Sequence, residues 1–134
     1  KVSLRLGRVE PVLNGAPLKV EATVLSVKKA CGIDCAVIDV NGITVIVGNK
    51  RRAAYIAPHP VYDPGFLDEL GLSPNDYKII LIKSGYLSPQ YRKIAARRML
   101  ALTPGDTNLI LTDIPYKKVP RPIFPLDEDT EWSL

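Results

Sequence analysis

Polar and apolar positions change rhythm several times along the 134 residues. From Leu18, the set Leu18, Val20, Ala22, Val24 and Ser26 alternates with Lys19, Glu21, Thr23, Leu25 and Val27. A period of two sends neighbouring side chains to opposite faces, so this stretch predicts a strand whose early part has one wet face. Val2-Ser3-Leu4-Arg5-Leu6 also reads as a strand, and Asn14-Gly15 predicts a turn before Leu18. Farther on, Ala36-Val37-Ile38-Asp39-Val40 and Ile43-Thr44-Val45-Ile46-Val47 flank Asn41-Gly42. Both turn residues tolerate positive φ, which favours a type I′ hairpin.

After Gly48 the alternation stops. Asn49-Lys50-Arg51-Arg52 forms a charged exit, and Ala57-Pro58-His59-Pro60 cannot continue a sheet interior. Asp63 is placed to cap a short helix, with Pro64 first, Phe66, Leu67 and Leu70 inward, and Gly71 as its stop. Ser73-Pro74-Asn75-Asp76 then turns the chain into Lys78-Ile79-Ile80-Leu81-Ile82. An apolar run bounded by turns predicts a central strand covered on both faces. A second helix is expected from the cap Ser88, with Pro89 first, to Met99. Its inner face would carry Tyr91, Ile94, Ala95 and Arg98, leaving Arg92, Lys93 and Arg97 in water. Leu100-Ala101-Leu102 follows as a short strand parallel to residues 78–82, closing a right-handed β-α-β unit. Prolines 104, 115, 120, 122 and 125 crowd the last stretch; Lys117-Lys118-Val119-Pro120-Arg121-Pro122-Ile123-Phe124-Pro125 cannot be regular helix, so an extended strap with Ile123, Phe124 and Leu126 as apolar pegs is expected. The fold class is therefore α+β in one domain, residues 1–134. It combines a mixed β-sheet with an N-terminal antiparallel hairpin region, a β-α-β unit and an extended proline-rich C-terminal strap.

Hydrophobic residues make up 46% and charged residues 24%, a globular balance. No apolar run approaches the roughly 20 residues that cross a bilayer, and no signal segment is visible, so a cytoplasmic, membrane-free protein is expected. The chain opens on Lys1 and its only methionine is Met99, which suggests a domain excised from a longer two-domain polypeptide. All 18 Lys and Arg precede residue 127, and four of the 14 acidic residues follow it at 127, 128, 129 and 131. Residues 1–126 thus carry net +8. Such a body could attract an anionic ligand or nucleic acid; mixed charge on a face that docks on an acidic neighbour is the simpler reading. Trp132, in the acidic tail, would need a docking site.

Cys31 and Cys35 form one pair, where a structural zinc site usually has four ligands. With His59 as the single imidazole, the chain is not expected to bind a metal. Two reduced thiols in a turn and strand start are expected instead, with a local disulfide as the lesser arrangement.

Several stretches in order resemble the C-terminal domain of the microcystinase C (MlrC)-like metallopeptidase family. They are Gly15-Ala16-Pro17-Leu18, Lys83-Ser84-Gly85-Tyr86, Ala101-Leu102-Thr103-Pro104-Gly105, and Pro115-Tyr116-Lys117-Lys118 followed by Arg121-Pro122-Ile123-Phe124-Pro125-Leu126-Asp127. The resemblance implies a bacterial hydrolase whose N-terminal domain holds zinc and the chemistry, while this domain packs beside it. The implied partners are that N-terminal metal-binding domain and a peptide or small-molecule substrate; self-association is a further arrangement. Many relatives place a histidine soon after the Lys-Ser pair, whereas this chain continues Gly85-Tyr86-Leu87-Ser88, so no role of that histidine transfers.

Lys83 and Ser84 are the sharpest candidates, at the carboxyl end of the expected central strand and just before a helix N-terminus. Ligands favour that edge in open α/β sheets. Lys83 could offer positive charge to a substrate carboxylate, with Ser84 donating a hydrogen bond; a snorkelling lysine and a loop-satisfying serine are the plainer alternative. A Ser-Lys nucleophilic dyad is disfavoured, because neighbours in a strand point to opposite faces. Tyr86 and His59 complete the cleft-facing set, whereas Tyr91 is expected in the core. Against this reading stand a free-standing module for an anionic ligand or nucleic acid, and a purely structural or oligomerisation domain.

Overall fold

The computed structural model describes residues 1–7, 16–50, 59, 61–103 and 108–131. The expected turn at Asn14-Gly15, the exit at Arg51-Arg52, prolines 58, 60 and 104, and Trp132 lie outside the described residues. Four strands follow one another: β1 (Val2–Leu6), β2 (Leu18–Ala30), β3 (Ile33–Val40) and β4 (Ile43–Gly48). Each pairs with the next in an antiparallel sheet of order β1-β2-β3-β4. Two of its turns carry positive φ at both central residues, Cys31-Gly32 at 52° and 73° and Asn41-Gly42 at 51° and 84°. That is the twist-matched geometry of a two-residue hairpin. Asp39 fastens the second by accepting from the Gly42 amide at 3.1 Å.

A bulge between Val24 and Ser26 interrupts the β2–β3 register. Val24 lies opposite Ile38, but Ser26 lies opposite Val37. Since cross-strand partners share a face, the extra residue moves even-numbered positions of β2 from one side of the sheet to the other. Ala22 and Ala30 are consequently both buried, on opposite faces. The alternation expected across residues 18–27 therefore holds only as far as the bulge.

One face of the β2–β3–β4 region carries the core. Ala30, Cys31, Ile33, Cys35 and Val37 meet Phe66, Leu67 and Leu70 of α1 (Gly65–Leu70) and Tyr91 of α2 (Pro89–Ile94). Ile46, Leu72, Ile82 and Leu87 pack around this cluster. Asp63 acts two residues before the helix, one before the N-cap position at Pro64, its carboxylate accepting from the Gly65 amide at 2.9 Å. Gly71 ends α1 at φ 78°, with its amide on the Asp68 carbonyl and that of Leu72 on the Leu67 carbonyl. Lys28 of β2 donates to the Leu70 carbonyl at 3.0 Å, and Glu69 accepts from the Cys31 amide at 2.6 Å, so both sheet and turn grip the helix.

Four expectations need correction. Residues 78–82 join no strand, and Ile79 and Leu81 are 75% and 86% exposed instead of covered on both faces. Residues 100–102 join none either, so no β-α-β unit forms and the described sheet is antiparallel, not mixed. The physical reason is the same for both runs: among the described residues no strand lies beside them to take their backbone hydrogen bonds. α2 stops at Ile94, short of Met99; Ile94 is already 47% exposed and residues 96–99 are exposed too, so burial does not support further turns. The C-terminal segment also departs from an extended strap between Arg121 and Asp127. There the Arg121 guanidinium forks onto the Asp127 carboxylate, and the Leu126 and Asp127 amides donate to the Ile123 carbonyl. No helix among the described residues is long and apolar enough to cross a membrane.

Candidate functional site

The loop before α1 and the loop before α2 meet through three rings. His59 begins a turn whose carbonyl accepts from the Tyr62 and Asp63 amides at 3.0 and 2.9 Å. Its Nδ1 accepts from the Val61 amide at 3.2 Å. The turn stacks His59 on Tyr62, with ring centroids 4.8 Å apart, and Tyr62 stacks in turn on Tyr86 at 5.6 Å. Side-chain hydrogen bonding with Tyr62 raises the Tyr86 phenol above its ordinary range, and desolvation adds to this.

Ser88 holds this assembly to the core. Its hydroxyl donates to the Tyr62 carbonyl at 2.6 Å and accepts from the Tyr91 amide at 3.3 Å. One oxygen therefore caps α2 and ties down the loop that bears His59 and Tyr62. The residue is only 2% exposed, so both bonds are shielded from competing water. Tyr91 lies in the core as expected, its phenol pushed up to about 12 by burial and by the nearby Asp63 carboxylate.

Lys83 sits at the tip of a three-residue turn closed by the Ser84 amide on the Ile82 carbonyl at 2.9 Å. Its side chain is exposed, and among the described residues no hydrogen bond or ion pair reaches its ammonium. Ser84 is half-buried and accepts from the Tyr86 amide at 3.4 Å, a loop-bracing contact. The fold thus brings His59 and Tyr86 into one stack and sets Lys83 and Ser84 in the adjoining loop. Sequence reasoning overlooked Tyr62, the ring that joins the first two, because its partner in the stack lies 24 positions away. Ser88 was legible as a helix cap, but its bond to Tyr62 was not.

Among the described residues the donor set does not fit a metal, since no three His, Cys, Asp or Glu side chains converge. Cys31 and Cys35 are buried thiols that form no disulfide; the Cys31 thiol donates to Glu69 at 3.5 Å, and burial raises the pKa of the Cys35 thiol. A groove of about 270 Å³ bounded by Thr112, Ile114, Tyr116 and Arg121 shares no lining residue with the ring stack.

No curated protein and no solved structure matches the chain. A family model described as the MlrC C-terminus matches residues 1–118, which takes in the Lys83–Tyr86 loop, the ring stack and Pro115-Tyr116-Lys117-Lys118. With 118 of its 134 residues inside that match, the chain belongs to the MlrC C-terminal domain family.

Proposed function

We propose that this chain is the non-catalytic C-terminal domain of a bacterial, cytoplasmic zinc-dependent peptidase or hydrolase of the MlrC family. It packs against the metal-binding N-terminal domain of the same polypeptide and forms one wall of the substrate cleft. Lys83, Ser84, Tyr86 and His59 line that wall, with Tyr62 as the ring that spaces them. Zinc belongs to the N-terminal domain. The observation that carries this reading is the His59–Tyr62–Tyr86 stack, anchored on the buried Ser88 beside the exposed Lys83 ammonium. A firm aromatic platform next to a cation suits a substrate with an apolar body and a carboxylate.

The test is Lys83→Ala in the full-length polypeptide. Losing one partly solvated charge-assisted hydrogen bond should raise KM or lower kcat/KM by about tenfold, roughly 1.4 kcal/mol. Thermal stability should stay unchanged, because among the described residues no hydrogen bond or ion pair reaches the ammonium. Unaltered kinetics would remove Lys83 from the cleft. The net +8 of residues 1–126 favours a second reading, a binding module for an anionic ligand or nucleic acid. That reading requires affinity for a DNA duplex that falls steeply between 50 and 200 mM salt, by about a thousandfold for six phosphate contacts. Weak, salt-insensitive binding excludes it.

A further inference from the structure

Residues 79–82 are Ile-Ile-Leu-Ile and residues 99–102 are Met-Leu-Ala-Leu. Both runs proceed without turn or bend. Ile79 and Leu81 project into solvent, as do Met99, Leu100 and Leu102, whereas Ile82 packs on the core. The backbone is unpartnered as well. Among the described residues, no hydrogen bond engages the amides or carbonyls of residues 78–81, nor those of 96–103. Apolar side chains alone would ask only for a greasy cover. Apolar side chains on a run of unpaired amides and carbonyls ask for a neighbouring strand.

We infer that residues 79–82 and 99–102 are two strands that complete a β-sheet of the N-terminal domain, inserting at its open edge with α2 as their connection. The inference rests on the reading of this chain as the C-terminal part of a two-domain polypeptide, and it names the surface through which the two parts join. Charge selects the occupant. Two copies pairing antiparallel about Ile80 and Leu81 would set Lys78 of each copy opposite Lys83 of the other, and like charges directly opposite disfavour a pair. The +8 body repels a second copy further. Lys78, Lys83, Arg97 and Arg98 frame the two runs and suit a heterologous edge flanked by acidic residues. The location also follows: Lys83 and Ser84 come directly after the first strand, at its carboxyl end, where the sheet junction would deliver them to the other domain.

Hydrogen exchange measured peptide by peptide tests this, on the 134-residue chain at two concentrations and on the full-length polypeptide. In the chain, amides of 79–82 and 99–102 should exchange within about tenfold of unstructured rates at both concentrations, and in the full-length polypeptide about a hundredfold or more slower. Slow exchange already in the dilute chain would mean an internal partner and overturn the inference. Protection that grows with chain concentration would assign the edge to a second copy and overturn it too. Rapid exchange in the full-length polypeptide would abolish the junction. The Lys83→Ala kinetics stand apart: a Lys83 effect with fast exchange defeats only the junction, and protection without a Lys83 effect defeats only the cleft wall.

Discussion

Ser88 joins two parts of the molecule through one oxygen, so its removal costs twice. Ser88→Ala deletes the acceptor at the start of α2 and leaves the Tyr62 carbonyl without its donor. A lost cap is worth about 1 kcal/mol and an orphaned buried carbonyl about 1–3 kcal/mol. Urea unfolding should show a loss of about 2 kcal/mol, and a change below about 0.5 kcal/mol would deny the double role. Tyr91 supplies a pH signature. Its phenol is held up to about 12 against an ordinary value of 10.0, chiefly by burial. The folded state therefore binds that proton more tightly than the unfolded chain does. The resulting stability is fully present below pH 10 and is lost as pH rises through 12. Tyr91→Phe should flatten that alkaline fall, measured as Tm against pH. Ser88's cap could be read from the sequence because it spans three residues; the Tyr62 stack could not, since rings far apart in the chain meet only after folding.

Elements were legible where one local conformation decided them. Asn41-Gly42 specified its hairpin, and Gly71 specified the end of α1, because left-handed backbone strongly favours these residue types. Gly71→Ala is expected to cost about 1 kcal/mol or more: φ stays positive, and the new Cβ would meet the Lys28 ammonium at 2.9 Å. Gly42→Ala, at a similar φ but in open space, should cost less. Urea midpoints of the two variants decide the order. The bulge at Leu25 left no such mark, since no Gly or Pro announces it. It decides which side chains of β2 face α1, and it would have been visible only through the pairing with β3. The length of α2 was misjudged for a related reason, because apolar spacing extends a helix only where something packs on it.

For the molecule as a whole, the informative feature is apolar surface without cover. Leu81→Lys should leave the stability of the chain itself within about 0.5 kcal/mol, since the side chain is already exposed. In the full-length polypeptide the same change should cost about 2 kcal/mol or more, because a charge would enter the sheet junction. Equal effects in both contexts would argue that Leu81 faces water in each. Residues 78–82 read as a strand covered on both sides, and among the described residues no strand pairs with them. Lys83 and Ser84 were identifiable by position, but that Lys83 is exposed while Ser84 braces the loop through the Tyr86 amide came only with the fold.

Composition, turn residues and caps determined what lies within a few positions of each residue: the hairpin at Asn41-Gly42, the start of α2 at Ser88, the stop of α1 at Gly71, and the shortage of metal donors. Only tertiary structure decided which face of β2 is buried, that His59 and Tyr86 share a stack through Tyr62, and that Ile79, Ile80 and Leu81 are left exposed. Local hydrogen bonds and φ angles are set by residues the chain already holds side by side. Strand pairing and ring stacking depend on whether a distant partner arrives, and among the described residues no strand arrives beside Ile79 to Leu81.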